Sequence, residues 1–196
     1  MPGVRDRLAP AVRPLAFFGA LLVLAAPRTA LAQAGDSAVP DSIPRFPEVT
    51  GRNLMGRALD LPIGFDGDVN VVLVAFKRHQ QDDVDTWMPA LRALAARRPG
   101  LRVYELPTLA SGYRIMRGFI DGGMRGGIPD TTVRAATITL YIDKKPFKAA
   151  LRIEGEGEIH VFLVERGGRI LWRAAGRYTP EALAQLEASL GPGAGR

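Results

Sequence analysis

Cysteine is absent from the 196-residue chain. No disulfide can staple the fold, no thiolate can act as a nucleophile, and no sulfur anion is available to a metal. Histidine is scarce as well, with only His79 and His160, and no H-x-x-x-H spacing joins them. Long apolar runs are missing: the stretch from Leu15 to Ala26 has 12 uncharged residues, short of the ~20 that a spanning helix needs. No run of basic residues with interleaved aromatics occurs, and neither a Walker pattern nor a G-x-G-x-x-G fingerprint is present. These absences argue against a nucleic-acid binder and a nucleotide site.

What is present begins with an address. Arg5, Arg7 and Arg13 precede the apolar stretch, and Ala30-Leu31-Ala32 and Ala32-Gln33-Ala34 follow it with small residues where a signal peptidase reads. The reading is a cleavable signal peptide over residues 1–34 and a periplasmic or secreted product. Removing residues 1–32 takes away four arginines and one aspartate, which halves the net charge of +6. Residues 35–45 are rich in proline and small polar side chains and read as a flexible linker. A single domain is expected over 46–191, followed by a short tail, 192–196.

Within that domain Val69 to Phe76 is an almost unbroken β-branched apolar run, the pattern of a strand buried on both faces. Lys77 to Asp83 reads as a polar loop. Trp87, Leu91 and Leu94 then recur at helical spacing, with Asp82, Asp83 and Asp85 near the helix start, where acids suit the dipole. Pro89 predicts a kink unless it lies in the first turn. Leu101 to Leu106 reads as a second strand and Pro107 to Gly112 as a loop. Tyr113 to Asp121 reads as a helix capped by Ser111, with Ile115, Met116, Phe119 and Ile120 on one face. Gly122 to Asp130, with four glycines and a proline, reads as a loop. Thr137 to Ile142 is a third strand, and Asp143 caps a short helix. Gly167-Gly168 joins the strands 159–164 and 170–174 in a hairpin. Thr179-Pro180-Glu181 opens the closing helix with its stripe of Leu183, Leu186 and Leu190. Gly51 to Leu61 fits either a strand pair or a loop.

The buried strand ending at Phe76, the helix bearing Trp87-Met88-Pro89 and the hairpin around Gly167-Gly168 together resemble the thioredoxin-like fold of the thioredoxin-like and peroxiredoxin-like superfamily. The resemblance spans about residues 46–190. It implies an α/β domain with a mixed β-sheet flanked by helices, and an insertion of about 107–151 before the C-terminal hairpin and helix. In that family a C-x-x-C motif begins five residues after the strand phenylalanine and ends five before the helix proline. Both counts place Gln81-Asp82-Asp83-Val84 in the redox site. The position of the family's cis-proline falls on Ile159. Disulfide exchange and cysteine-dependent peroxidase activity are therefore excluded by chemistry. Residues 168–176 and the helix around Trp87 are also similar to the thioredoxin-like assembly factor of mitochondrial ATP synthase, which implies a chaperone-like role.

The expected role is binding, with a protein partner in the cell envelope or a membrane-associated client, no nucleic acid, no cofactor and no catalytic residue. Arg78, His79, Gln81, Asp82, Asp83, Trp87 and His160 form the groove expected to make contact. Arg114, Arg117 and Arg125 of the glycine-rich insertion form a second contact region, able to cradle an anion. Against these stand plainer readings: solvated histidines, dipole-favouring aspartates, a solvated arginine loop and core tryptophans. The rival functions are a small-anion or metal-binding protein, or a non-thiol enzyme using the former redox pocket.

Overall fold

The computed structural model describes residues 45–191. The expected signal peptide, most of the expected linker and the tail lie outside the described residues. Seven strands form one sheet in the order β2-β1-β5-β4-β3-β6-β7. Their ranges are β1 Val49–Asn53, β2 Ala58–Leu61, β3 Val69–Ala75, β4 Leu101–Ala110, β5 Ile138–Ile142, β6 His160–Glu165 and β7 Ile170–Ala175. Helices α1 Gln81–Arg97, α2 Arg117–Gly127, α3 Thr131–Ala136, α4 Lys144–Ala150 and α5 Pro180–Ser189 lie between or after them. Strand β3 is central, parallel to β4 and antiparallel to β6, and β4 is parallel to β5. β1 pairs antiparallel with both β2 and β5, so Gly51 to Leu61 contains a strand pair.

The nearly unbroken apolar run of β3 follows from its place. Val71, Leu73 and Ala75 meet Val84, Trp87, Leu91 and Leu94 of α1, and Leu186 of α5. Val72 and Val74 meet the other core, with Phe46, Phe65, Tyr104, Phe147 and Phe162. Each such side chain fully withdrawn from water contributes roughly 1.5–3 kcal/mol, which is how a fold without a disulfide holds. Phe46 sets edge-to-face contacts with Phe65, Phe147 and Phe162 at centroid distances of 5.8, 5.9 and 6.4 Å.

Four local expectations need correction. β4 continues through Pro107 to Ala110, where a loop was expected. Pro107 stands opposite Ala75, the last residue of β3, so its missing N–H falls where that ladder ends. Beyond it, Thr108–Ala110 pair with Leu140–Ile142. Ser111 does not cap a helix: it opens a 3-10 segment, Ser111–Met116, that has no side-chain cap bond. The glycine-rich stretch expected to be a loop is mostly helical, since α2 runs to Gly127, and the short α3 follows with Asp130 as its cap. Glycine costs a helix roughly 1 kcal/mol per residue against alanine. Polar ties offset that cost. Asp121 accepts a 2.8 Å bond from the Tyr141 hydroxyl, and Arg125 Nε donates to the Leu54 carbonyl at 3.0 Å. Lastly, α1 begins at Gln81 directly after a 3-10 turn at Arg78–Gln80, so Asp82 and Asp83 belong to its first turn. Pro89 lies in the helix interior.

The closing segment follows its sequence signals. The Thr179 hydroxyl accepts from the Ala182 N–H, with proline in the first turn of α5. Gly168, at φ +88°, turns the β6–β7 hairpin, and a Cβ there would stand 2.7 Å from Pro62 Cγ.

Candidate functional site

Parallel strands β3 and β4 end at the same edge of the sheet, and β6 begins there: Ala75 stands opposite Pro107, and Val74 opposite His160. The first turn of α1 rises from this edge. Val84 of α1 and Ile159, which precedes β6, accordingly share one core cluster.

The residue that joins these pieces is Gln80, fully buried. Its Oε1 accepts from the N–H groups of Phe76 (2.7 Å) and Lys77 (3.1 Å). Its Nε2 donates to the Glu156 carbonyl at 3.0 Å, tying the turn to the loop before β6. The Glu156 carboxylate in turn accepts from Lys144 (2.6 Å) and Lys148 (2.9 Å) of α4. These two hydrogen bonds favour the carboxylate and hold its pKa below the usual glutamate value. Removing one side chain thus unpairs two backbone donors and one acceptor, and an unpaired buried group costs about 1–3 kcal/mol. Gln80→Ala is expected to lower stability by about 2–4 kcal/mol in urea unfolding. A loss under about 0.5 kcal/mol would show that water replaces these bonds freely.

Gln81, in the first redox slot, is exposed and donates from Nε2 to Asp85 Oδ1 at 3.0 Å. The same amide acts on Glu105 of β4. Burial pushes the Glu105 carboxyl up and the nearby Asp85 charge adds to this, while hydrogen bonding from Gln81 opposes it. One uncharged amide thus steadies two carboxylates. Glu105 also lines a cleft of about 430 Å³ between α1, β4 and α3, with Met88, Arg92, Val103, Thr132 and Val133. Val84, in the second slot, is 0% exposed and belongs to the α1 core. Ile159, in the cis-proline position, is also 0% exposed and packs in that core.

His160 is half-buried. Its ring meets Phe76 edge-on at 6.3 Å and stacks on Phe162 at 6.5 Å. Burial lowers its basicity, which the Gly155 carbonyl and the Glu158 charge oppose. Its Nε2 has no hydrogen-bond partner, a state that suits a neutral ring. His160 lines a cavity of about 460 Å³ with Arg152, Glu154, Glu158 and Arg173.

The other expected groove residues divide. Arg78, His79 and Asp82 are exposed, and the side chains of all three are without a hydrogen bond or ion pair among the described residues. Asp83 pairs with Arg177 at 2.6 Å. Trp87 does not line the groove: it is 0% exposed and belongs to the α1 core. Its Nε1 donates to the Gly176 carbonyl at 3.0 Å, so it supports the site from beneath. Nor do the insertion's arginines converge on one cradle. Arg114 donates to the Tyr141 carbonyl (3.0 Å) and Arg125 to Leu54, while Arg117 is exposed. No group of three or more His, Cys, Asp or Glu side chains among the described residues is placed to hold a metal.

Gln80 and Glu105 escaped the sequence reading. Nothing marks Gln80 among the polar residues of 77–83. Glu105 had a signal: it shares alternation with Leu101 and Val103, so it must face the helix side of the sheet.

No protein-family model matches the chain, and no curated protein matches it. Solved structures do. An Aquifex aeolicus VF5 protein with a proposed role in electron transport aligns at TM-score 0.55 and 9% identity, over 76% of this chain and 95% of its own. A thiol:disulfide interchange protein from Bacteroides sp. aligns at TM-score 0.48 and 18% identity, over 76% and 90%. The thioredoxin domain of a thiol-disulfide oxidoreductase from Bacteroides vulgatus aligns at 0.45 and 18%, over 74% and 94%. The fold is thioredoxin-like, and the chain that adopts it holds no cysteine.

Proposed function

We infer that the protein is a non-redox binding factor with an assembly or chaperone-like role, acting after export on an envelope or membrane-associated protein. The observation that carries this reading is the chemistry of the two former redox slots. One holds an amide that braces Asp85 and Glu105, and the other a buried valine. Neither can exchange electrons, yet the edge around them is built with care by Gln80. Such an edge presents a fixed shape to a partner, with Arg78, His79 and Asp82 free to make contact. The resemblance that residues 168–176 and the helix around Trp87 bear in sequence to the ATP synthase assembly factor suggests the same class of role.

The test is co-purification from native membranes, read by mass spectrometry, with wild type beside a variant carrying Arg78→Ala, His79→Ala and Asp82→Ala. The expected result is an envelope protein recovered with wild type at near-stoichiometric yield and lost with the variant. Equal recovery by both, or no envelope protein with either, would overturn the reading.

A further inference from the structure

The insertion has its polarity turned inside out. Over residues 111–127 the one buried residue is Asp121, fastened to Tyr141; Ile120 and Met124 are partly buried, and four large apolar side chains face water. Ile115 is 92% exposed, Phe119 81%, Tyr113 53% and Met116 49%. A surface helix ordinarily turns its apolar stripe to the core. Here Asp121, Arg114 and Arg125 anchor the segment to the body through Tyr141 and Leu54, and the apolar side chains are left over for something else. Exposed apolar clusters of this kind mark a contact surface.

The shape and the charge say what kind. Gly112, Gly118, Gly122, Gly123, Gly126 and Gly127 all have open space where a Cβ would stand. Ile115 and Phe119 thus project beside glycines that carry no side chain and have no neighbouring atoms where one would stand. A convex projection suits a fluid layer that closes around it. The charges of residues 111–127 are Arg114, Arg117 and Arg125 against the single buried Asp121, so the charge shown to solvent is all positive. Protruding aromatic and aliphatic side chains ringed by arginine fit an anionic bilayer surface, where apolar groups enter the acyl boundary and guanidinium groups meet phosphates. No helix among the described residues is long and apolar enough to cross a membrane, so attachment by this domain would be interfacial.

We propose that the 111–127 insertion docks the domain on a membrane surface rich in anionic phospholipid, with Ile115 and Phe119 inserted and Arg117 on the headgroups. The groove and its client play no part in this contact.

Sedimentation of the protein, purified after export, with vesicles of phosphatidylglycerol and phosphatidylethanolamine tests it, against vesicles of phosphatidylcholine alone. Wild type is expected to sediment with the anionic vesicles and at least tenfold less with the neutral ones. Ile115→Ser with Phe119→Ser should weaken vesicle binding at least tenfold. The melting temperature should stay unchanged, since both side chains already face water. Arg117→Gln should weaken binding and flatten its salt dependence. Wild type that ignores anionic vesicles, or a serine variant that sediments like wild type, overturns the proposal. Loss of the co-purified client in that variant, with vesicle binding absent in wild type, overturns it in favour of a protein contact. Because the vesicles carry no protein, failure here leaves the groove reading to its own test.

Discussion

Gln81→Cys with Val84→Cys is expected to give a protein that cycles between two thiols and one disulfide, where the natural chain has no thiol. Positions three apart on a helix have Cβ atoms about 5–6 Å apart, so a small adjustment closes the bond. The helix start lowers the pKa of a thiol there. The two positions also differ in access. Position 81 is exposed, whereas Val84 is 0% exposed. In single variants, alkylation in the folded protein should be fast at 81 and at least a hundredfold slower at 84. Mild oxidation of the double variant should consume both thiols intramolecularly. Comparable alkylation at both positions, or a disulfide that forms only between molecules, would mean that the slots do not lie where the spacing from Phe76 and Pro89 puts them.

That spacing was legible because it rests on long-range constraints written locally. A strand buried on both faces must be nearly all apolar, as β3 is apart from Asn70, which is buried and bonded to Gly67, and a tight hairpin favours glycine, as at Gly168. The Thr179-Pro180 start of α5 is a local signal too. What the sequence hid depended on partners far along the chain. The helicity of α2 is one case, because its glycines argue against it and the opposing ties come from Leu54 and Tyr141. The continuation of β4 past Pro107 is another, since only the end of β3 beside it makes that proline harmless. In the site, the counts from Phe76 and Pro89 pointed to Gln81 and Val84, both of which lie at the start of α1. Gln80 stayed hidden because its partner, the Glu156 carbonyl, belongs to a loop 76 residues away. The apolar spacing of 113–120 was read as one helical face; the structure divides it between the 3-10 segment ending at Met116 and α2 from Arg117, and periodicity alone cannot say whether a face turns inward or outward.

Trp87→Ala is expected to be the most destabilising single change at the site. The indole is 0% exposed. It stands edge-on to Tyr178 at 5.5 Å and to Trp172 at 6.3 Å. Alanine leaves a cavity under the first two turns of α1, and buried tryptophan or phenylalanine truncations cost about 3–5 kcal/mol. The Gly176 carbonyl also loses its donor, a further loss on the order of 1 kcal/mol. With no disulfide to limit the unfolded chain, that sum approaches the whole stability of an ordinary domain, about 5–15 kcal/mol. Trp87→Phe separates the two contributions, because it keeps most of the volume and drops the N–H. The expected order in urea is wild type, then phenylalanine lower by about 1–2 kcal/mol, then alanine far below both. A phenylalanine variant as unstable as the alanine one would mean that the bond to Gly176, which clasps α1 to the end of β7, matters more than the packing around it.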